Sequence, residues 1–433
     1  MQRWLRGVLI AIRRLMLVLV LIALAWVASN GPWADASPQP VPAELALQPV
    51  RVAAARNAFV DLQGLDAPDG EDINAVGQAV LRGAQADRVS RLNWPSSPRW
   101  KCRPTEQDCV ALWRSQADEL RAELAGMIVL GQRCERLASA EAFEEIPIER
   151  PSSGPLASVG WAALPLPRFM NHTNCIRWLA MQAALETDPV RAQLRLAQAD
   201  RLARLMLQGS RSLIGTMIGV VAVQNSWLFA AQRISAGDLE RTVLTPLLAP
   251  LAVDALSPRQ WAPGEARFGR ELMRDLGDKV RGCSAATGES DPQPLLSLEW
   301  VMCHLRLGVL PEQSAQDIDA GWLARLAAVP PSGPADCNSL QTPLWREQEG
   351  RWPRWRNTLI RLSLDGPGVD WSMYAARQLD LELLRQTLLA LNLGQPAPPG
   401  VTLQREAGGQ SFSACRARLQ PGEKAAVLRL PLL

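Results

Sequence analysis

Carboxylates are the side chains of this sequence most able to do acid–base chemistry, because it contains only two histidines, His172 and His304. Two groups are dense enough to supply a pair: Glu141, Glu144, Glu145 and Glu149, and separately Glu265, Glu271 and Asp275. A pair flanking a cleft would suit hydrolysis of a glycan or a peptide. Alternatively, the second group lies on a solvated helix face, paired with Arg267, Arg270 and Arg274.

Tryptophan and arginine alternate in residues 344–361, where Trp345, Trp352 and Trp355 lie among five arginines. Such a segment could bind anionic lipid head groups or a glycan through stacking and charge. The tryptophans also have helical spacing, which favours the alternative that they face the core of the protein. The sequence contains no nucleophile elbow, zinc-protease motif, phosphate-binding loop or dinucleotide fingerprint.

An uncharged apolar run, residues 15–29, indicates membrane targeting. The side chains expected in the membrane are Leu15, Leu17, Leu19, Leu21, Leu24 and Trp26. We favour a retained anchor, with Arg13 and Arg14 at one interface and Trp26 near the other. The alternative is a secretory signal cleaved at Ala34-Asp35-Ala36, which would leave a soluble periplasmic protein.

Arginines at positions 3, 6, 13 and 14 precede this run, and no basic residue follows it before Arg51. The positive-inside rule therefore predicts a cytoplasmic N-terminus in a bacterial inner membrane and a periplasmic body. Beyond residue 29 the chain carries 42 basic and 43 acidic groups. This near-neutral body, which has no basic stripe, argues against nucleic acid as a partner.

All eight cysteines follow the apolar run, which predicts a disulfide framework in an exported chain. They are Cys102, Cys109, Cys134, Cys175, Cys283, Cys303, Cys337 and Cys415. Cys102–Cys109 is the pairing best supported, because the polar segment between them contains a proline and bends easily. We rank Cys134–Cys175, Cys283–Cys303 and Cys337–Cys415 below it, and free buried thiols are the alternative.

Cysteine and histidine also lie close in sequence, since His172 is three residues before Cys175 and Cys303 adjoins His304. These four residues could form a zinc site. Oxidised cysteines cannot bind zinc as thiolates, and adjacent Cys-His is not the usual chelating spacing. We therefore predict hydrogen-bonded histidines, with no metal and no cofactor.

Residues 57–72, NAFVDLQGLDAPDGED, include four carboxylates, namely Asp66, Asp69, Glu71 and Asp72. Their spacing does not follow a calcium-binding loop, so we expect a turn at residues 68–70 and a helix cap at Asp72. The Asn-Ala-aromatic start and the Gly-Leu-Asp-Ala-Pro turn resemble the N-terminal segment of uncharacterised, membrane-anchored, helix-rich periplasmic proteins of proteobacteria. This resemblance covers about sixteen residues and implies a location, not an activity.

The remaining pattern predicts a mainly α chain. We expect an anchor or signal over 1–29, a proline-rich stalk over 30–42, a helical lobe over 43–250 and a second helical lobe over 251–433. Helices are expected from Ile73 to Leu92, from near Asp108 to Leu137, and from Pro189 to Gly209 with Ser210 capping the next.

Residues 212–232 lack charge for long enough to span a membrane, but their central polar residues favour a buried core helix. Residues 246–264 are expected to be a proline-rich break, followed by helices near 265–281, 295–309, 315–328, 342–363 and 370–393. The alternating tail, residues 401–431, predicts a small antiparallel β-sheet.

These features lead to two hypotheses. The first is a non-enzymatic, anchored periplasmic protein that binds or scaffolds another envelope component, such as a protein. The second is a periplasmic hydrolase of a glycan or a peptide. A cleft lined by paired buried carboxylates would favour the hydrolase, and an exposed apolar patch would favour a binding partner.

Overall fold

The computed structural model describes residues 2–82, 92–147, 166–281, 310–328, 336–341, 371–406, 409–419, 427–431 and 433. Within these ranges the chain forms fourteen α-helices and one three-stranded sheet. This confirms the predicted fold class, a mainly α chain with a small C-terminal antiparallel sheet. The helices predicted near 295–309 and 342–363, with the Trp345, Trp352 and Trp355 segment, lie outside the described residues.

Nine helices precede residue 240. They are α1 (Gln2–Asn30), α2 (Ala58–Gln63), α3 (Ile73–Leu81), α4 (Cys109–Ser115), α5 (Ala117–Ala125), α6 (Ile128–Ala138), α7 (Phe169–Leu185), α8 (Pro189–Gly209) and α9 (Leu213–Ser235). Five helices and the sheet follow. They are α10 (Leu244–Leu247), α11 (Pro258–Arg281), α12 (Pro311–Ala328), α13 (Trp371–Asn392), β1 (Thr402–Glu406), β2 (Gly409–Ser413), α14 (Cys415–Leu419) and β3 (Leu428–Leu430).

The N-terminal helix α1 is apolar, and its end contacts the following turn, where Trp33 Nε1 donates to the Ala28 carbonyl at 2.9 Å. Its segment Gly7–Asn30 is long enough to cross a membrane, and its most apolar 18-residue stretch is not buried within the described protein. The five leucines expected in the membrane are all exposed, and Trp26 near the end of the helix is half-buried. Together with the disulfides, this helix indicates a membrane-anchored or exported protein.

Helices α8 and α9 form an antiparallel hairpin at the centre of the molecule. Ser226 and Trp227 of α9 contact Asp200 of α8, and Gly219 of α9 lies against Leu207 of α8. The contacting residues are closer together in sequence near the turn, as expected for two antiparallel helices. The second candidate span, Leu213–Ser235, is mostly buried within the protein and is a core helix.

The cap of α9 is Ser212, whose hydroxyl accepts from the Gly215 N–H, and not Ser210 as we predicted. The Ser210 hydroxyl instead donates to the Met206 carbonyl, which ends α8. The turn is therefore two residues longer than the sequence suggested.

The apolar core contains residues from both sides of the predicted lobe boundary at residue 250. Its members before that point include Phe59, Trp113 and Trp227, and its later members include Leu384 and Phe412. In the sheet, β2 pairs antiparallel with β1 and with β3, and Phe412 faces the core from its centre. The C-terminal sheet is thus attached to the helical core by apolar packing.

The proline-rich segment, predicted as a stalk over 30–42, is not a free spacer. Asp35 accepts from the backbone N–H groups of Glu312 and Gln313 at 3.4 and 2.9 Å, so it caps the start of α12. The Gln316 amide donates to the Ser37 carbonyl, and Leu45 is fully buried against α11 and α12. Asp35 thus supplies acceptors for N–H groups at the start of α12 that have no partner within that helix.

Three predicted boundaries were wrong. The helix expected from Ile73 to Leu92 ends at Leu81, where Arg82 is its C-cap. The helix expected from Asp108 to Leu137 is three short helices, because the backbone leaves the helical region at Gln116 and Met127. The break expected over 246–264 ends earlier, since α11 begins at Pro258 and continues through Pro263. Proline costs least near the start of a helix, where several N–H groups have no helical partner.

Three disulfides join described cysteines in the pairs expected from the sequence: Cys102–Cys109, Cys134–Cys175 and Cys337–Cys415. Cys134–Cys175 links α6 to α7 inside the core, and Cys337–Cys415 ties α14 to the segment before α13. The fourth expected pair, Cys283 and Cys303, lies outside the described residues.

Candidate functional site

The first predicted carboxylate group separates into members with different surroundings. Glu141 is exposed and pairs with Arg56 at 2.8 Å. Glu144 accepts from the Arg51 N–H at 2.7 Å and also pairs with an arginine side chain of the α8–α9 turn. Glu145 is buried, and Glu149 lies outside the described residues. Of the three described members, Glu145 is the one that lines the cavity at the start of α9.

The second predicted group matches the alternative interpretation, an arginine-paired and solvated helix face, only in part. Glu271 pairs with Arg274, which also binds Glu312 of α12 at 2.9 Å. Asp275 is buried. The Arg274–Glu312 pair therefore joins α11 to α12, and the remaining member of the group, Glu265, lines the same cavity as Glu145.

Glu145 and Glu265 meet at the start of α9. Glu145 Oε2 accepts from the backbone N–H groups of Arg211 and Ser212 at 2.7 and 3.0 Å. Glu265 Oε1 accepts from the next N–H, that of Leu213, at 2.8 Å. Both carboxylates therefore complete the capping of α9, since the first N–H groups of a helix have no partner within it.

Two close backbone approaches bring these glutamates together. The Glu145 N–H donates to the Gly209 carbonyl at 3.0 Å, and a side chain at Gly209 would collide with the Phe143 carbonyl. A Cβ at Gly264 would likewise collide with the carbonyl of Arg211. Glycine at these two positions lets the chain after α6 and the helix α11 reach the α8–α9 turn.

The cavity at this point has a volume of about 470 Å³ and is formed by six segments distributed along the chain. Its wall is mainly apolar. The apolar side chains include Leu47, Leu166, Leu213, Ile214, Met217 and Phe268. Leu166, Ile214 and Phe268 are respectively 63%, 40% and 42% exposed, so the apolar surface continues out to the rim. Its size and lining are those of a small-molecule site.

Burial raises the pKa of both glutamates above the ordinary value. For Glu145, hydrogen bonds from Ser212 and Arg211 oppose this effect, while the nearby charge of Glu265 adds to it. For Glu265, the hydrogen bond from the Leu213 N–H opposes this rise in pKa. Among the described residues, neither carboxylate has an ion-pair partner. A carboxyl group with a raised pKa stays protonated to higher pH, and in that form it can donate a proton to a ligand or a substrate.

Positive charge enters the same cavity from Arg211, Arg267 and Arg377. Arg211 is already engaged, since its guanidinium contacts the Gln48 carbonyl and pairs with Glu144 at 3.3 Å. Arg377 is half-buried on α13, one turn after Tyr374, which also lines the cavity.

The histidine predicted as a possible zinc ligand is structural. His172 is fully buried, and its Nε2 lies 2.9 Å from the Leu202 carbonyl. Burial lowers the pKa of His172 to about 4, so the ring is neutral. Its neighbour Cys175 is oxidised with Cys134, and Cys303 and His304 lie outside the described residues.

The acidic turn is also structural. Asp72 caps α3 by accepting from the Asn74 N–H, and Asp69 accepts from the N–H of Gly70, whose positive φ suits the turn. Asp66 pairs with Arg168. In the described ranges, no cluster of three or more histidine, cysteine, aspartate or glutamate side chains could hold a metal ion.

Sequence reasoning named both glutamates and Arg267 but missed most of the other residues of the site. Ser212, Tyr374, Phe268 and Arg377 carry no local motif, and they come from three helices that are distant in sequence. The only available signal was the uncharged start of α9, which we had interpreted as core. Comparison with known proteins finds no matching family model, no matching curated protein and no matching solved structure.

Proposed function

We propose that this protein is a non-enzymatic binding protein of the cell envelope, which holds an apolar or amphipathic component in the cleft beside α9. The observation that carries this proposal is the mainly apolar wall, which extends to exposed side chains at the rim. Such exposed surface is unfavourable in water unless a ligand or a partner covers it.

The glutamate pair is what favours the second candidate, a hydrolase of a glycan or a peptide. One oxygen of each carboxylate already accepts backbone N–H groups of the α9 start, which gives the pair a structural role. Glycans and peptides also require many hydrogen-bonding groups along a cleft, whereas this wall is mainly aliphatic. We therefore rank binding above hydrolysis.

Photo-crosslinking in intact cells tests the binding proposal. A photoreactive amino acid at Ile214, on the rim, should give an adduct on irradiation. The matched control is Ile128, an exposed isoleucine at the start of α6 that does not line the cleft. Equal labelling at the two positions, or none at Ile214, would contradict the proposal.

Digestion of isolated cell-wall glycan and of a peptide mixture tests the hydrolase candidate. We expect no release of soluble fragments by the full chain. If fragments are released by the wild type and not by Glu265→Gln, the hydrolase candidate replaces the binding proposal.

We further propose that α1 is retained as an anchor, with its N-terminus in the cytoplasm and the body in the periplasm of a bacterial inner membrane. Asp35 supports retention, because cleavage after Ala34-Asp35-Ala36 would remove the residue that caps α12. The charge bias of residues 3–14 and the disulfides support this orientation.

The intact mass of the protein isolated from membranes tests retention. We expect a mass that includes residues 2–36, whereas a chain beginning at Ser37 would show that the segment is a cleaved signal. Protease added to spheroplasts should degrade the body. Protection of the body would reverse the orientation.

A further inference from the structure

The charges that line the cleft are unequally matched. Glu145 and Glu265 accept hydrogen bonds from the start of α9, and Arg211 is held by Glu144 and the Gln48 carbonyl. Arg377 has no hydrogen-bond or ion-pair partner in the part of the chain that the structure describes, although it is half-buried. A guanidinium removed from much of its water without a counter-charge is a site for an anion.

The surroundings of Arg377 restrict what that anion can carry. Its helix α13 forms one wall of the cleft, and the Tyr374 side chain one turn earlier is in ring contact with Trp261, at 6.5 Å between centroids. The other walls present Leu213, Ile214 and other apolar side chains. Water-soluble anions such as sugar phosphates or nucleotides would leave these walls uncovered, whereas an alkyl chain would cover them.

We propose that the cleft binds a single-chain anionic amphiphile, with its carboxylate or phosphate head on Arg377 and its alkyl chain along Ile214, Met217 and Phe268. This inference rests on the proposed binding function and names its ligand class. A volume of about 470 Å³ accommodates one alkyl chain and lies within the range of small-molecule sites. A guanidinium forms two parallel hydrogen bonds with either head group, so charge selects an anion over a cation.

The glutamates are compatible with this ligand. One oxygen of each carboxylate accepts hydrogen bonds from backbone N–H groups at the start of α9. These N–H groups are fixed dipoles that offset negative charge on the glutamates. Burial raises the pKa of both groups, which reduces the negative charge that an anionic head would meet. Arg211 and Arg267 also line the cleft and are both engaged within the protein, so the cation left to meet an anionic head is Arg377 on α13.

Photolabelling of the full chain in nanodiscs of zwitterionic lipid tests the proposal. The probe is palmitic acid carrying a diazirine on its chain, and labelled peptides are identified by mass spectrometry. We expect labels near Ile214 and Phe268, displaced by palmitate or hexadecyl phosphate and not by hexadecyltrimethylammonium. The relative potency of the two anions distinguishes a carboxylate from a phosphate ligand.

Substitution of the arginine isolates the role of the head group. Arg377→Gln should weaken palmitate binding about tenfold or more, as expected for loss of a charge-assisted hydrogen bond. The matched control Arg405→Gln, at an exposed arginine of β1 outside the cleft, should bind like the wild type. Unchanged thermal unfolding of Arg377→Gln shows that the loss is not due to misfolding.

The outcomes distinguish an error in the proposed ligand class from an error in the proposed binding function. If the wild type and Arg377→Gln label equally in the cleft, or the cationic amphiphile competes as well as palmitate, the head-group assignment is overturned and cleft binding stands. If the label reaches only α1 in every arm, both the ligand class and the binding function are overturned.

Discussion

Two buried carboxylate sites in this protein have opposite surroundings. In the hairpin core, Asp200 is 2.7 Å from Arg204 and also accepts from Trp227 Nε1 at 2.9 Å and from the Ser226 hydroxyl. In the cleft, Glu145 and Glu265 meet backbone N–H groups and, among the described residues, no ion-pair partner. Burial raises the pKa of the carboxyl group at both sites, but only the core site has a cation that opposes it.

This difference separates buried charges that are paired within the protein from a half-buried charge that is not. Arg204 is held in turn by the carbonyls of Leu247 and Ala249, so the core network satisfies its own charges and joins α8 to the segment after α10. Both networks border a cavity, of about 550 Å³ at Asp200 and Arg204 and about 470 Å³ at the glutamates, but only the cleft leaves an arginine, Arg377, without a partner among the described residues. A buried charge matched within the protein contributes to folding, whereas an unmatched one beside a cavity can bind a ligand.

The core site should give the largest loss of stability. Arg204→Ala leaves Asp200 buried without its cation, which we expect to cost about 3–5 kcal/mol. Chemical denaturation followed by tryptophan fluorescence measures the change. Arg191→Ala, on the same helix in an exposed ion pair with Asp188, should change stability by about 0–1 kcal/mol. Equal effects of the two substitutions would remove the distinction between the sites.

The close approach that forms the cleft should give the next largest effect. Gly264→Ala adds a methyl group against the Arg211 carbonyl and forces α11 away from α9, which we expect to cost about 1–3 kcal/mol. Gly321→Ala is the control, because this helical glycine of α12 has open space around it and alanine favours a helix. The same denaturation measurement should show Gly321→Ala neutral or stabilising.

Loss of a glutamate from the cleft should have a smaller effect. Glu145→Ala removes the acceptor for two N–H groups of the α9 start, which we expect to cost about 0.5–2 kcal/mol. Glu145→Gln keeps an oxygen acceptor and should cost less. Glu141→Ala, in an exposed ion pair, is the control. A loss as large as that of Arg204→Ala would show that the cleft carboxylate is as structural as Asp200.

The smallest expected effect is on the pH dependence of stability. The folded protein binds a proton on Glu145 and Glu265 more readily than the unfolded chain, because burial raises both pKa values from 4.5. Their contribution to stability is fully present below pH 4.5 and is lost as pH rises through the raised pKa values. Thermal melts of Glu145→Gln/Glu265→Gln should therefore fall less steeply with rising pH than those of wild type. An unchanged slope would contradict the raised pKa values.

Local signals in the sequence predicted much of the fold. Asp72 and Asp188 each cap a helix that begins at the next residue, and the alternating tail forms the sheet. These features depend on neighbours within a few residues, so a single sequence displays them. The contact of Asp35 with α12 joins residues 278 positions apart and leaves no such signal.

The sequence by itself determined the helical class, the apolar N-terminal helix and the Cys102–Cys109 pair, because composition, periodicity and short spacing specify these directly. The tertiary structure selected Cys134–Cys175 and Cys337–Cys415, whose members are 41 and 78 residues apart, from the pairings that the sequence left open. Only the tertiary structure decided that Glu145 and Glu265, which are 120 residues apart in the chain, share one cavity with Arg377. The reason is steric as much as electrostatic. Gly209 and Gly264 permit backbone approaches that no charge pattern predicts, and these approaches form the cleft.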